Sequence, residues 1–564
     1  MVGKVIWQLF VLSPYADIAA AAALMKSAGR NHLLCAHLLT PAERRRLQAA
    51  DPTVFIELMR DYATDGELEN LDKEVHADLM SLARVTDASE LIEIAHTPLY
   101  VRAIKRARNR LVAEKFLEKY GRPERLLVCR GPNVDEVLWR EVCGGIEQVD
   151  LPRVTQTEHT PTRSRVKYAR TTTAARDVAI TSLNGLKRTR LIDEKLLAER
   201  CIEVRELRKM LVTQGVRPVW DFIRSIPALC RMRGQQQRLG RWLKDNDSVH
   251  ISGAWNFLGW RAWASMAVNM VVLRAAGRNG VRFFVTSIHS FSPAQAWAAR
   301  KEGMQVLVLQ DGYLPINYPV TLYFQYRSMT MIWWSEFARH WGARGGLTGY
   351  TCKPDFLGTS RDSNKQSASG QIRQVLALLG HGGEWSSLIW RCDIDRFVQG
   401  VLEVARRLPA LEFRLRPHPT CNLEMHDGTN CVERLRLLVA ESGVGNVILS
   451  SCSLAEDFSW AHFAVSEYSL TLLEYVTAGD GCVGVFNPTK RRDFFAEFTK
   501  QGMPYAETVD ALASILTHGT RTGRDAFQGL LGSRGNDLRH LLHILGEEKT
   551  PGHGPVEKRQ PKPR

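Results

Sequence analysis

Along the chain, short apolar runs alternate with longer stretches of helical periodicity. A strand is predicted over residues 2–12, an alanine-rich helix over 16–28 and a second strand over 32–39. Residues 41–95 read as largely helical, 99–120 as a basic helix and 125–129 as a strand. The polar, Thr-rich run 156–176 reads as a long loop, and 189–244 as a strongly helical, basic stretch. Alternation resumes with apolar runs at 249–253, 281–287, 305–310 and 329–334, separated by helical patterns at 262–276 and 293–303. After the polar run 360–370, a second series follows, with strands at 374–379, 412–416, 446–449, 461–466 and 482–486. Helices are predicted between them and at 509–518 and 535–545. Strands alternating with helices are the pattern of parallel sheets covered on both faces, which makes the expected fold class α/β.

Composition changes this picture little. Hydrophobic content of 45% and charged content of 24% fit a globular protein, and 564 residues suffice for two or three cores. The formal charge of +15 points to an acidic or phosphorylated partner, or to an anionic membrane surface. Eleven cysteines stand singly without a CxxC pair, which argues against a zinc site or a disulfide scaffold. No run of about 18 apolar residues suggests a transmembrane helix, and Pro14 and Asp17 interrupt the signal-like start, so the expected location is cytoplasmic. The basic stretch within 156–245 is expected to be a helical insertion with a solvated surface. Its sharper alternative is a surface that docks on anionic lipid or a charged acceptor polymer. The Pro, Gly and Lys-rich residues 546–564 are expected to be disordered.

Candidate chemistry gathers at predicted strand ends, where open parallel sheets bind their ligands. Ser466-Glu467-Tyr468-Ser469 lies where a buried strand gives way to a helix. There, unpaired backbone N–H groups, the positive dipole end and hydroxyls can receive a phosphate or simply cap the helix. Arg416-Pro417-His418-Pro419 ends another strand, and the flanking prolines fix the backbone that presents His418. Glu474 falls in the first turns of the helix after Ser469, and Gly380-His381-Gly382-Gly383 follows the strand 374–379. Gln310-Asp311-Gly312 and Ser287 to His289 occupy the matching places in the first half. Two such sets suggest a ligand held between two domains. No Walker loop, GxSxG elbow, HExxH pair, dinucleotide fingerprint or nucleic-acid module is present.

Four segments in order resemble the GT-B-like glycosyltransferases of bacterial capsule and surface-carbohydrate synthesis: VLVLQDGYLP (306–315), IWWSEFARHWG followed by FLGTS (356–360), FRLRPHP (413–419) and AHFAVSEYSLTLLEYVTAG (461–479). Polysialyltransferases, Kdo-transferring enzymes and CDP-glycerol glycerophosphotransferases share the pattern. The resemblance implies two Rossmann-like parallel-sheet domains facing a cleft. An acceptor domain over 1–360 would carry the helical insertion, and a nucleotide-donor domain would span 361–545. It implies that His418, Arg416, Ser466 and Ser469 bind the donor phosphates, that Glu474 contacts ribose or sugar, and that no metal or cofactor is needed.

Two positions depart from that pattern. Asp311 stands where relatives carry His, and His462 where they carry Asp. Asp311 is therefore the expected base, with His289 as the fallback. The implied reaction moves a sugar or alditol phosphate from a nucleotide-activated donor to a glycan or glycolipid acceptor. Peripheral contact with the inner membrane or export machinery is a further implication, and nucleic acid is not an expected partner. An epimerase of the same fold and a non-catalytic scaffold are the alternatives.

Overall fold

The structure is a computed structural model. It describes residues 7–547 apart from 14–15, 26–29, 38, 40, 130–133, 145, 152–176, 183–185, 187–190, 192–195, 197–198, 213–216, 246–259, 289, 311–323, 353–371, 381–390, 419–430, 470, 479–481, 491–494, 519–526, 528–529 and 531–537. The described strands form three sheets, and every pairing in them is parallel. The expected α/β class with Rossmann-like sheets is what the chain adopts.

The first sheet has the order β3-β2-β1-β4-β5, from β1 (Trp7–Leu12), β2 (Arg30–Cys35), β3 (Phe55–Leu58), β4 (Arg125–Val128) and β5 (Glu147–Asp150). The middle sheet runs β11-β10-β9-β8-β6-β7, from β6 (Val178–Ile180), β7 (Cys201–Glu203), β8 (Phe283–Ser287), β9 (Gln305–Leu309), β10 (Thr330–Trp333) and β11 (Thr348–Thr351). The last sheet runs β14-β13-β12-β15-β16-β17, from β12 (Gln374–Leu378), β13 (Glu412–Arg416), β14 (Val447–Leu449), β15 (Phe463–Ser466), β16 (Cys482–Phe486) and β17 (Tyr505–Ala506).

This corrects two expectations. Residues 1–360 contain two sheets rather than one, because β1 to β5 pair only among themselves while β6 pairs with β8. The stretch 156–245 is not a purely helical insertion either. Val178–Ile180 is an interior strand of the middle sheet and Cys201–Glu203 its edge. Three apolar residues in a basic setting carry no readable period, and they are buried by pairing with Phe283–Ser287 on one side and Cys201–Glu203 on the other.

The three units are joined by specific contacts. The helix Ser89–Tyr120 of the first unit meets Pro293–Lys301 of the middle one, where Glu90 pairs with Lys301 at 2.6 Å and accepts from the Trp297 indole at 2.7 Å. The first and last units meet through Asp61 and Arg396 at 2.9 Å. The helix Leu538–Glu547 returns from the end of the chain to the middle sheet, where Arg539 pairs with Glu199 at 3.0 Å and the Gly546 carbonyl accepts from Arg282. One apolar core runs without a break from Phe283, Leu307 and Ile332 of the middle sheet through Leu541 and Leu545 to Ala464 and Val485 of the last. Two Rossmann-like sheets so joined, the later one sending its final helix back to the earlier, make the GT-B arrangement, here preceded by a further sheet. Among the described residues, no helix is long and apolar enough to cross a membrane.

Candidate functional site

In the last sheet, chain order runs outward from β12 through β13 to β14 on one side, and from β15 through β16 to β17 on the other. The two halves diverge between β12 and β15, and a crevice opens beyond the carboxyl ends of strands at such a switch point. The candidate residues fall there because the sequence turns from strand to loop at Leu378, Arg416 and Ser466.

Ser466 is fully buried. Its hydroxyl donates to the Leu378 carbonyl at 2.7 Å and accepts from the Ser469 backbone N–H at 2.8 Å. The β12–β15 ladder pairs Ala377 with Val465, so the serine extends it by one side-chain bond and turns the chain toward the helix Thr471–Ala478. A serine has one O–H proton. That of Ser466 serves Leu378, so this residue shapes the crevice and has no proton to give a phosphate. Ser469, also buried, makes no side-chain hydrogen bond among the described residues. Gly380, two residues beyond β12, packs against the ring of Tyr468. A Cβ there would stand 1.7 Å from Cε2 of the buried Tyr468 ring, so the close approach demands glycine.

At the end of β13, Arg416 donates to the Cys452 carbonyl at 2.9 Å and pairs with Asp457. Arg414 bonds the same carboxylate at 3.2 Å and lies 4.0 Å over the Trp460 ring. Asp457 has no exposed surface and also accepts from Ser450 at 2.6 Å. It is presented by the helix Leu454–Trp460, which starts with a capping box between Ser453 and Glu456. Two guanidiniums around one carboxylate leave a net charge of about +1 beside the crevice. Arg416 therefore acts through this trio rather than as an unneutralised phosphate ligand. His418 is half-buried two residues beyond β13, and Glu474 is half-buried in the first turn of Thr471–Ala478.

Glu467 was given no role by sequence reasoning. It is 3% exposed, accepts from the Thr489 hydroxyl, and burial pushes its pKa up to about 8. Arg60 of the first unit and Arg396 oppose that shift, while Asp65 adds to it. The first unit thus reaches the electrostatic neighbourhood of this crevice. The one signal available in sequence was a carboxylate inside the otherwise apolar and small motif Val465 to Ser469.

The middle sheet diverges between β8 and β6. Four hydroxyls meet there: Thr181 bonds both Thr286 and Ser290 at 3.2 Å, and Ser287 bonds Ser290 at 2.8 Å. The two expected bases, Asp311 and His289, lie outside the described residues, as do residues 381–383. Gln310, next to Asp311, is buried and accepts from the Trp334 N–H at 2.8 Å. Among the described residues no three metal-ligating side chains cluster.

No family model matches the chain, and no curated protein does. Several solved structures are similar to it at a low level. A glycosyltransferase from Rickettsia africae is 12% identical, with TM-score 0.33, over 50% of this chain and 81% of its own. A putative UDP-N-acetylglucosamine 2-epimerase from Listeria monocytogenes is 10% identical, with TM-score 0.38, over 68% of this chain and 100% of its own. MurG of Acinetobacter baumannii is 12% identical, with TM-score 0.31, over 51% and 80%.

Proposed function

We propose that the last unit binds a nucleotide-activated sugar or alditol phosphate and that the chain transfers the activated group to a glycan or glycolipid acceptor. The observation that carries this reading is the switch point of the last sheet, where β15 leads into Ser469 and the start of Thr471–Ala478 on the same carboxyl edge at which β13 leads to His418. Backbone N–H groups at the start of that helix, Ser469 and His418 receive the donor phosphates. The Arg414–Asp457–Arg416 trio adds positive potential, and Glu474 takes hydroxyls of the ribose or sugar. As the donor bond breaks, these groups stabilise the charge that develops on the leaving nucleotide. Asp311, or His289 in its place, takes the proton of the acceptor hydroxyl, which comes from the middle unit. The hydroxyl cluster of Thr181, Thr286, Ser287 and Ser290 stands on that side and suits a polyol.

The test is a calorimetric and thermal-shift panel of CMP, CDP, UDP and GDP. A nucleotide at 100 times its Kd should stabilise the unit that binds it by about 2.7 kcal/mol. One nucleotide binding, with at least ~10-fold weaker affinity in His418→Ala, supports the reading. Binding of none, or unchanged affinity in that variant, refutes it. Turnover of the donor without an acceptor would identify an epimerase instead.

A further inference from the structure

The helix Arg217–Asp245 has a buried stripe of Asp221, Ser225, Leu229, Met232, Gln236 and Leu239, spaced three or four residues apart. That stripe is anchored. Asp221 pairs with Arg278, its main-chain carbonyl accepts from Arg274 at 2.9 Å, and the Leu229 carbonyl accepts from the Trp263 indole at 3.1 Å. The opposite side is apolar where a solvated helix would be polar. Val219, Trp220, Phe222, Ile223 and Ile226 are each 38 to 62% exposed within two turns. Single exposed hydrophobics are ordinary, but five together on one face mark an interaction surface.

The charge on this helix selects the partner. It carries seven Arg and Lys against two Asp, and Asp221 is turned inward and neutralised by Arg278. Arg224, Arg231 and Arg241 are exposed on the apolar side and form no ion pair among the described residues. An apolar face holding Trp and Phe, bordered by unpaired arginines, matches the headgroup boundary of an anionic bilayer. A second copy of the same face would instead oppose its arginines to their equals.

We propose that the exposed face of Arg217–Asp245 is a membrane-docking surface, with Trp220, Phe222, Ile223 and Ile226 seated among anionic lipid headgroups and Arg224 and Arg231 on their phosphates. This is independent of the nucleotide reading, since it concerns another face and needs no turnover. The helix lies on the surface without spanning the membrane.

Flotation of the full-length protein with phosphatidylcholine vesicles, made with and without phosphatidylglycerol, tests it. Binding is expected only to the anionic vesicles and should weaken as salt rises toward ~1 M, where the screening length falls to about 3 Å. Arg224→Gln with Arg231→Gln should lower vesicle affinity about 25-fold, from ~5-fold per arginine. Trp220→Ser with Ile223→Ser should lower it by at least ~10-fold. Both pairs are exposed, so circular dichroism and thermal unfolding should be unchanged. Absence of flotation, equal binding to neutral vesicles, or affinity unmoved by either pair would overturn the proposal. A dimer that the Trp220 pair dissociates would also overturn it, by assigning the face to self-association.

Discussion

Ser466→Ala isolates what ties the two halves of the last sheet together. The hydroxyl bridges the Leu378 carbonyl and the Ser469 N–H, and Ser466 and Leu378 are both almost completely buried. Removing it leaves one buried acceptor and one buried donor without their partner, each at a cost of about 1 to 3 kcal/mol. Part of that is recovered if the strand end relaxes, so a local loss of about 2 to 4 kcal/mol is expected. Global melting is a poor gauge for a chain of three units, whose unfolding need not be two-state. Hydrogen exchange of peptides spanning residues 463–478 reads the local opening directly. Protection there should fall about 30- to 1,000-fold, at about 1.4 kcal/mol per tenfold, while peptides of the first sheet stay unchanged. Nucleotide affinity should fall as well, because Ser469 and the helix start lose their position. Protection within about threefold of the parent would refute the argument, since the bridge would then contribute nothing net.

Three further outcomes follow from the same geometry. Gly380→Ala sets a Cβ 1.7 Å from the Tyr468 ring and should cost about 1 to 3 kcal/mol, and pairing it with Tyr468→Leu should recover part of that loss in a double-mutant cycle. Additive effects would show that the ring is not the obstacle. Glu467 has a folded pKa raised to about 8 by burial, above the usual carboxylate value near 4.5. Its contribution to stability is therefore complete at low pH and is lost as pH rises from about 4.5 through 8, by up to ~1.4 kcal/mol per unit. Glu467→Gln, which keeps the neutral form, should gain on the parent as pH rises from about 5 to 8 and level off above that in thermal unfolding, and a constant offset from about pH 5 to 8 would exclude the assignment. Asp457→Asn leaves Arg414 and Arg416 without their shared carboxylate and should destabilise the last unit by about 2 to 3 kcal/mol, less than a fully buried pair because each arginine side chain is 19% exposed. Urea unfolding checks it, and a change below about 0.5 kcal/mol would mean that the trio is solvated.

The sequence by itself determined the α/β class and the buried strands. Cys482–Phe486 was legible to the residue because a strand covered on both faces reads as an unbroken apolar run, and Glu412–Arg416 because its buried Phe413 and Leu415 alternate with charged residues. It also set Ser466, Ser469, His418 and Gly380 at or just beyond strand ends, where those strands stop. What it missed was mostly edge. Phe55–Leu58, Glu147–Asp150, Cys201–Glu203, Thr348–Thr351 and Tyr505–Ala506 close the sides of the three sheets. A strand paired on one side needs little apolar surface, and Glu147-Gln148-Val149-Asp150 has almost none. The partition of residues 1–360 into two sheets was likewise decided only in three dimensions, by which strands share hydrogen bonds. The roles of Ser466 and Arg416 were decided the same way. A hydroxyl or guanidinium at a strand end looks ready for a phosphate until the fold supplies the Leu378 carbonyl and the Asp457 carboxylate that take its protons first.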